Sequence, residues 1–347
     1  MGRELLGGLM KYLITGGAGF IGHHLTKTLL ENNHQIVSVD NLSTGSLKNV
    51  IPFKFNKNFS FIEGSAQDPR LMSELVKNTD VIYNLAASVG VQNIIQNPIE
   101  SIENNIFIAS NILSLAAHHK KRIFMFSTSE VYGKSKKTNF EENDDVILGP
   151  YTKLRWSYAT SKLVDDFLAR AYFEQHHLPV TMVRLFNSIG TKQVGQYGMV
   201  VPRFFSQAMA NQKITVFGTG QQSRCFTDVR DIINGLISLE NCQNSFGELV
   251  NIGSSREITI MNLANLIKDL SHSKSEIENI SYEEGYGKNF EDMERRRPCC
   301  KKLEQLTGYR VQYSLEDTLQ WIFEDLKNEK KSKLNSNYDQ REFLTSV

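Results

Sequence analysis

Little in this chain points outward to a membrane, to nucleic acid or to an oxidising compartment. Its 347 residues carry only four cysteines, Cys225, Cys242, Cys299 and Cys300. They show no metal-ligand spacing, and an adjacent pair rarely bridges to itself, so neither a disulfide scaffold nor a metal site is expected. A reducing cytoplasm is the expected setting. Charge of one sign is also missing: 39 Lys and Arg stand against 38 Asp and Glu, a net of +1. That balance gives no general attraction to nucleic acid or to an acidic membrane surface. No apolar run approaches the length needed to span a bilayer. The leader Met1 to Leu9 lacks the apolar core of a signal peptide, and Leu6 stands where myristoylation requires Ser or Thr. Met10-Lys11-Tyr12 reads as an alternative start. There is no internal repeat and no low-complexity segment.

What is present is an alternation of short apolar runs with helical patterns, which predicts a parallel sheet with crossover helices. Strands are expected at Tyr12-Leu13-Ile14, Gln35 to Asp40, Phe59 to Ile62, Val81 to Asn84, Ile123 to Phe126 and Val180 to Val183. Helices are expected over Phe20 to Leu30, Ile99 to Ala117 and Ser157 to Glu174. After Asn187 the regularity breaks. A loop from Gly190 to Gly198, a helix from about Pro202 to Ala210 and a strand at Ile214 to Phe217 follow, and the chain returns to the sheet between about 225 and 252. The expected division is a dinucleotide-binding α/β domain over 10–187 plus that return segment. A smaller substrate lobe takes 188–224 and 253–327, and 328–347 is a polar, frayed tail.

Gly16, Gly19 and Gly22 sit at the first strand-to-helix turn, in Thr15-Gly16-Gly17-Ala18-Gly19-Phe20-Ile21-Gly22. Glycine there lets the backbone turn tightly and approach a pyrophosphate, whose charge meets the amides at a helix N-terminus. A glycine-rich turn is often only structural. Asp40, 18 residues after Gly22 at the end of the second strand, adds a carboxylate that can accept two ribose hydroxyls and repel a 2′-phosphate. That favours NAD over NADP; the alternative is a strand-ending Asp that caps a turn. Phe20, Ile21 and Asn41 flank these positions. Leu85, Ala86 and Ala87 follow the fourth strand, where small residues permit close cofactor approach or merely tight packing.

Farther along, Tyr158-Ala159-Thr160-Ser161-Lys162 sets a phenol and an ammonium at i and i+4 on one helical face. The lysine is expected to pull the phenol's pKa toward working pH and to reach the nicotinamide ribose, which makes the pair an acid/base candidate. A solvated helix surface carries the same spacing by chance. Upstream, Ser127-Thr128-Ser129-Glu130 puts hydroxyls at a strand's carboxyl end, where open α/β sheets bind ligands.

These residues carry a resemblance. From Met10 to about Lys327 the chain resembles the extended short-chain dehydrogenases/reductases that act on nucleotide sugars. The carrying segments are TGGAGFIG, Val39-Asp40-Asn41, NLAA, STSEVYG, YATSK, Arg184 to Gly190, Gln221 to Phe226 and Glu294 to Pro298. The resemblance implies a Rossmann-type doubly wound parallel sheet with a smaller C-terminal lobe, bound NAD, a nucleotide-diphosphate sugar and a homodimer. By it, Thr128, Tyr158 and Lys162 form the catalytic triad, Asn187 and Arg224 contact the nucleotide diphosphate, and Asn105 shapes the cofactor side of the site behind Thr128. A cofactor-sensing regulator that has lost catalysis is the contrasting reading, but it has no need of that trio.

Subclass rests on two places. Sugar 4-epimerases of the family usually lack an acid at the position of Glu130, whereas dehydratases and decarboxylases have one. The dTDP-glucose 4,6-dehydratases carry Asp-Glu where this chain has Ser129-Glu130, and the GDP-mannose 4,6-dehydratases share Thr-Ser-Glu. The second place, Tyr286 to Pro298, is similar to UDP-glucuronate decarboxylases, in which one arginine before Lys-Pro serves the reaction; Arg296 matches it. The implied reaction is NAD-dependent decarboxylation of a UDP-hexuronic acid, UDP-glucuronate or its N-acetylamino analogue, to a UDP-pentose-type sugar. Oxidation at C4 puts the C6 carboxylate β to a ketone, and loss of CO2 then needs only an enolate sink near Thr128 and Tyr158. Epimerisation or 4,6-dehydration is the alternative, and the arginine run also fits a solvated basic face. Two departures from the family pattern stand out: Ser65 replaces the aspartate expected for the adenine amine, and Thr191-Lys192 replaces a usual Pro-Arg.

Overall fold

The structure, a computed structural model, describes residues 8–195, 199–286 and 291–345. The first part of the leader (1–7), the middle of the 190–198 loop (196–198) and residues 287–290 of the decarboxylase-like segment lie outside the described residues. In chain order the first half runs β1 (Lys11–Thr15), α1 (Phe20–Glu31), β2 (Gln35–Asp40), β3 (Phe59–Glu63), α2 (Pro69–Lys77), β4 (Val81–Asn84), α3 (Val91–Gln96), α4 (Pro98–His118), β5 (Arg122–Thr128), α5 (Arg155–His176) and β6 (Val180–Leu185). The second half runs β7 (Ser188–Ile189), α6 (Val200–Met209), β8 (Ile214–Phe217), β9 (Ser223–Cys225), β10 (Thr227–Asp228), α7 (Val229–Glu240), β11 (Leu249–Ile252), β12 (Glu257–Thr259), α8 (Ile260–Leu270), β13 (Ile277–Ile280), α9 (Tyr282–Tyr286), β14 (Arg295–Arg296), α10 (Lys301–Thr307) and α11 (Leu315–Thr345).

Seven strands form one sheet in the order β11-β6-β5-β4-β1-β2-β3. Every pairing in it is parallel. Both faces are covered, which is why its central strands are continuously apolar rather than alternating: Leu13, Ile82, Ile123 and Val180 are fully buried on one side, Ile14, Tyr83, Phe124 and Val183 on the other. The chain lays down β1, β2 and β3 outward in one direction, then starts again at β4 on the other side of β1. The crevice between the carboxyl ends of β1 and β4 is therefore a topological switch point, the place where open α/β sheets take ligands.

Local chemistry fixes the element ends. Asp68 caps α2, accepting from the amides of Arg70 and Leu71 at 2.9 and 3.2 Å, and Pro69 follows at the first helical position. His177 ends α5 in the left-handed region at φ 53°. Strand and helix bounds otherwise follow the periodicity within a residue or two, as in β2, β4 and β8.

The C-terminal part combines short strands with helices. It holds two small sheets, β12-β9-β14 and β13-β8, packed on α6, α8 and α11 through Phe204, Val216, Leu263 and Leu319. Strands of two to four residues are too short for alternation to register in a sequence. Helix α10 leaves the lobe altogether, and its Leu303 packs with Leu236 in the core beneath the large sheet. The expected frayed tail is entered by α11, which continues to Thr345; the segment after Gly308 contains neither glycine nor proline to stop it.

Candidate active site

A continuous cavity of about 600 Å³ opens along the carboxyl edge of the sheet, from the turn after β1 to the segment around β14. At its β1 end, Gly16 has φ +69° and its amide donates to the Val39 carbonyl at 2.8 Å. A Cβ there would lie 2.8 Å from the Ala86 nitrogen, and one on Gly22 would lie 2.6 Å from the Gly16 carbonyl oxygen. Any side chain would force the turn away from β4 and from α1. Gly19 precedes helix α1 without giving it a side-chain cap, which leaves first-turn amides available at the end of the cavity that Phe20, Ile21 and Gly22 line. That is an anion cradle.

Asp40 is buried and lines the same end. Its carboxylate accepts from the Leu42 amide at 2.8 Å and the Ala18 amide at 3.0 Å. Asp40 thus caps a turn, and it also lines the cavity. Burial raises its pKa and the two amides only partly offset this. Asn41, Leu85, Ala86 and Ala87 also line the cavity. Asn105 does not; it is buried behind the wall, accepting from the Ser88 amide at 2.8 Å and donating to the Ser161 hydroxyl at 3.2 Å. Near Ser65, the departure from the family pattern, the wall is completed by Gln67, whose amide group donates to the Asn104 side chain. Neither had been singled out, since neutral amides have no local signature.

At the reaction centre Thr128 ends β5, and Tyr158 and Lys162 reach the cavity from α5. The Thr128 side chain and the Tyr158 phenol line the same stretch of the cavity, and Thr128 is placed to favour the deprotonated phenol. The expected lowering of the phenol's pKa by Lys162 is not what the structure shows. The Lys162 ammonium donates to Asp165 at 2.7 Å, both side chains being buried. Burial, then the charges of Glu130 and Asp165, hold the phenol well above its ordinary range.

The opposite end of the cavity is a lattice of arginines and carboxylates. Glu130 pairs with Arg155 at 3.2 Å and with Arg296 at 3.4 Å. Asp292 pairs with Arg155 at 2.8 Å and with Arg224 at 2.9 Å. Arg224 and Arg296 are brought side by side because β9 and β14 pair in parallel with those two residues in register. Burial pushes Glu130 up, but Arg155 and Arg296 outweigh it and hold its carboxyl below the usual range. Burial and the neighbouring Arg224 push Arg296 down to about 10. Among the described residues, three guanidiniums thus face two carboxylates in this cluster. The Nε of Arg296 is buried with no hydrogen-bond partner among the described residues.

Thr128, Glu130, Tyr158, Lys162, Asn187, Arg224 and Arg296 therefore share one cavity. Asn187, expected on a diphosphate, here accepts from Arg296 at 2.9 Å and donates to the Cys225 carbonyl at 2.9 Å, so it also holds the arginine in place. Arg155 and Asp292 were not picked out as site residues. Arg155 was legible in principle, being three residues before Tyr158 on one helical face; Asp292 comes from a segment with no periodicity.

Comparison with known proteins fits this geometry. A family model described as GDP-mannose 4,6 dehydratase matches residues 13–322. The chain is 39% identical over 322 residues to a UDP-N-acetyl-alpha-D-glucosaminuronate decarboxylase of Bacillus cytotoxicus, covering 91% of this chain and 98% of that one. It is 34% identical to UDP-glucuronic acid decarboxylase 1 of Danio rerio, covering 94% and 75%. Among solved structures, a UDP-glucuronic acid 4-epimerase from Bacillus cereus in complex with UDP-glucuronic acid and NAD superposes with a TM-score of 0.83 at 27% identity, covering 92% of this chain and 99% of that one. An uncapped helix start, a turn that only glycine fits and a facing carboxylate match what such an NAD site requires. The chain belongs to the extended short-chain dehydrogenase/reductase family of NAD-dependent enzymes that modify nucleotide sugars.

Proposed function

We propose that this enzyme decarboxylates a UDP-hexuronic acid. The observation that carries the reading is the arginine excess at Arg155, Arg224 and Arg296, in the same cavity as Tyr158 and Thr128. Desolvating a carboxylate is costly unless a cation meets it, and a planar guanidinium does so with two parallel hydrogen bonds. The sequence relatives named as decarboxylases of UDP-linked uronates support the same substrate class.

The Gly16–Gly22 turn and Asp40 would hold NAD, which would supply reversible hydride acceptance at C4. Tyr158 takes the C4 hydroxyl proton, with Thr128 sharing the hydrogen bond at O4. The resulting ketone is β to the C6 carboxylate, so the C5–C6 bond breaks with its electrons delocalised into the carbonyl. CO2 leaves and an enolate remains, its oxygen beside Thr128 and Tyr158. Arg296 orients the departing carboxylate, and Glu130 holds Arg296 while presenting a second charged group to the C5 side, where a proton must be delivered.

The test is mass spectrometry after incubation with UDP-glucuronate, UDP-N-acetylglucosaminuronate and neutral UDP-, dTDP- and GDP-hexoses. Loss of CO2 from either uronate is expected, and which one reacts decides the C2 substituent. A product lighter by water, or an isomer of unchanged mass, from a neutral hexose would replace this reading by dehydration or epimerisation.

The cofactor reading has its own consequence. Asp40→Ala removes the carboxylate toward the ribose hydroxyls, and NAD affinity is expected to fall by on the order of 1.5–3 kcal/mol, the scale of hydrogen bonds to a charged group. NADP is expected to gain relative to NAD. Calorimetric titration of both proteins with both dinucleotides checks this; equal or tighter NADP binding by the wild type would sink it. The reading also includes a homodimer: Phe107 on α4 and Phe167 on α5 are 60% and 69% exposed on neighbouring helices. Light scattering of the wild type and of Phe107→Glu/Phe167→Glu is expected to show a dimer and a monomer respectively; a monomeric wild type rejects it. No helix among the described residues is long and apolar enough to cross a membrane, and the four cysteines are free.

A further inference from the structure

Asp165 has no part in the mechanism above, yet its charge is closer to the Lys162 ammonium than any other carboxylate described. It lies three residues after Lys162, so the same face of α5 carries both, and their 2.7 Å contact is fully enclosed. Asp165 is 2% exposed, does not line the cavity, and its Oδ1 has no hydrogen-bond partner among the described residues. Its neighbour Asp166 is differently placed: Arg184 of β6 and the Ser127 hydroxyl both bond its carboxylate, at 2.9 and 3.1 Å. One buried aspartate thus has a dedicated arginine, whereas the other depends on the lysine that the reaction uses. A buried carboxylate with an unmet oxygen is expensive to keep.

We propose that Asp165 is a positioning residue that ties down the Lys162 ammonium and sets how readily Tyr158 gives up its proton. This rests on the reading of Tyr158 and Lys162 as the acid/base pair, not on the identity of the sugar. The charged groups acting on Tyr158 are Glu130 beyond β5, Arg296 from β14 and Asp165 on its own helix, while Arg155 and Lys162 of that helix line the same cavity; α4 contributes the neutral Asn105, through Ser161. In that set Lys162 and Asp165 act in opposite directions on the phenol. The 2.7 Å pair holds the lysine against Asp165, and the carboxylate adds to the burial that keeps the phenol protonated.

Asp165→Asn keeps the shape and a hydrogen-bond acceptor for Lys162 but removes the charge, and Asp165→Ala removes both. In each, the acid limb of the kcat–pH profile is expected to move down by about one pH unit, which corresponds to roughly tenfold more turnover on the acid side of the limb. The ultraviolet phenolate transition of the NAD-loaded protein, taken as the difference from the matching Tyr158→Phe protein, is expected to move by the same amount, and needs no substrate. A merely structural role for Asp165 would lower kcat or thermal stability without moving either midpoint. Midpoints that stay in place, rise, or are absent from both proteins overturn the proposal. If the wild type turns over no uronate, the decarboxylase reading falls and the phenolate titration still decides the role of Asp165.

Discussion

Tyr158→Phe is expected to lower uronate turnover by roughly 10²–10⁴, the usual worth of a positioned general base, while the fold and NAD binding survive. Tyr158 is half-buried where it lines the cavity with Thr128, so phenylalanine keeps the packing and deletes only the hydroxyl. The sign of the pH dependence follows. The base must be deprotonated to act, and burial together with Glu130 and Asp165 holds the phenol high, so wild-type kcat is expected to rise with pH. In Tyr158→Phe that rise disappears. Single-turnover rates across pH, with circular dichroism and NAD titration as controls, measure all three quantities. A near-normal rate in the variant would place the chemistry elsewhere in the cavity.

The second large effect is expected at Arg296. Replacing it by alanine removes the cation nearest Glu130 and the donor to Asn187. Glu130 keeps Arg155, so the local fold has a remaining counter-charge. What is lost is the group proposed to meet the substrate carboxylate, and on that proposal kcat/KM for the uronate is expected to fall about 10²–10³-fold, the scale of losing one preorganised donor to developing charge. Arg296→Lys restores the charge as a compact point without the planar fork and is expected to recover only part of the rate. NAD affinity stays as in the wild type, because the glycine turn and Asp40 lie at the other end of the cavity. Binding and kinetics measured on the same preparations separate these effects. A wild type that turns over neutral UDP-hexoses as well as uronates, or an Arg296→Ala protein that keeps its uronate kcat/KM, would show that the arginines serve only the diphosphate.

Much of the cofactor half was legible before any coordinates. Gly16, Gly22 and Asp40 are tied to elements with strong periodicity, β1, α1 and β2, and local geometry constrains them: a positive φ at Gly16 and a strand end at Asp40. Thr128, Tyr158 and Lys162 follow from a strand end and a helical spacing in the same way. The reading went astray where a side chain's partner was sequentially close but chemically ambiguous. Lys162 was assigned to the phenol four residues back, whereas the structure turns it to Asp165 three residues on.

The sequence by itself determined the parallel sheet and placed Gly16, Gly22 and Asp40 at its strand and helix ends, because these depend on periodicity and turn chemistry within a few residues. Only the tertiary structure decided the charge balance of the site. Arg155, Arg224 and Arg296 come from α5, β9 and β14, and Glu130 and Asp292 from segments more than 150 residues apart. Their pairing depends on two short strands, Ser223–Cys225 and Arg295–Arg296, whose register no local pattern announces. Burial then multiplies the consequences, since a charge that would be screened at the surface acts at close range on Tyr158, Glu130 and Asp292 once water is excluded.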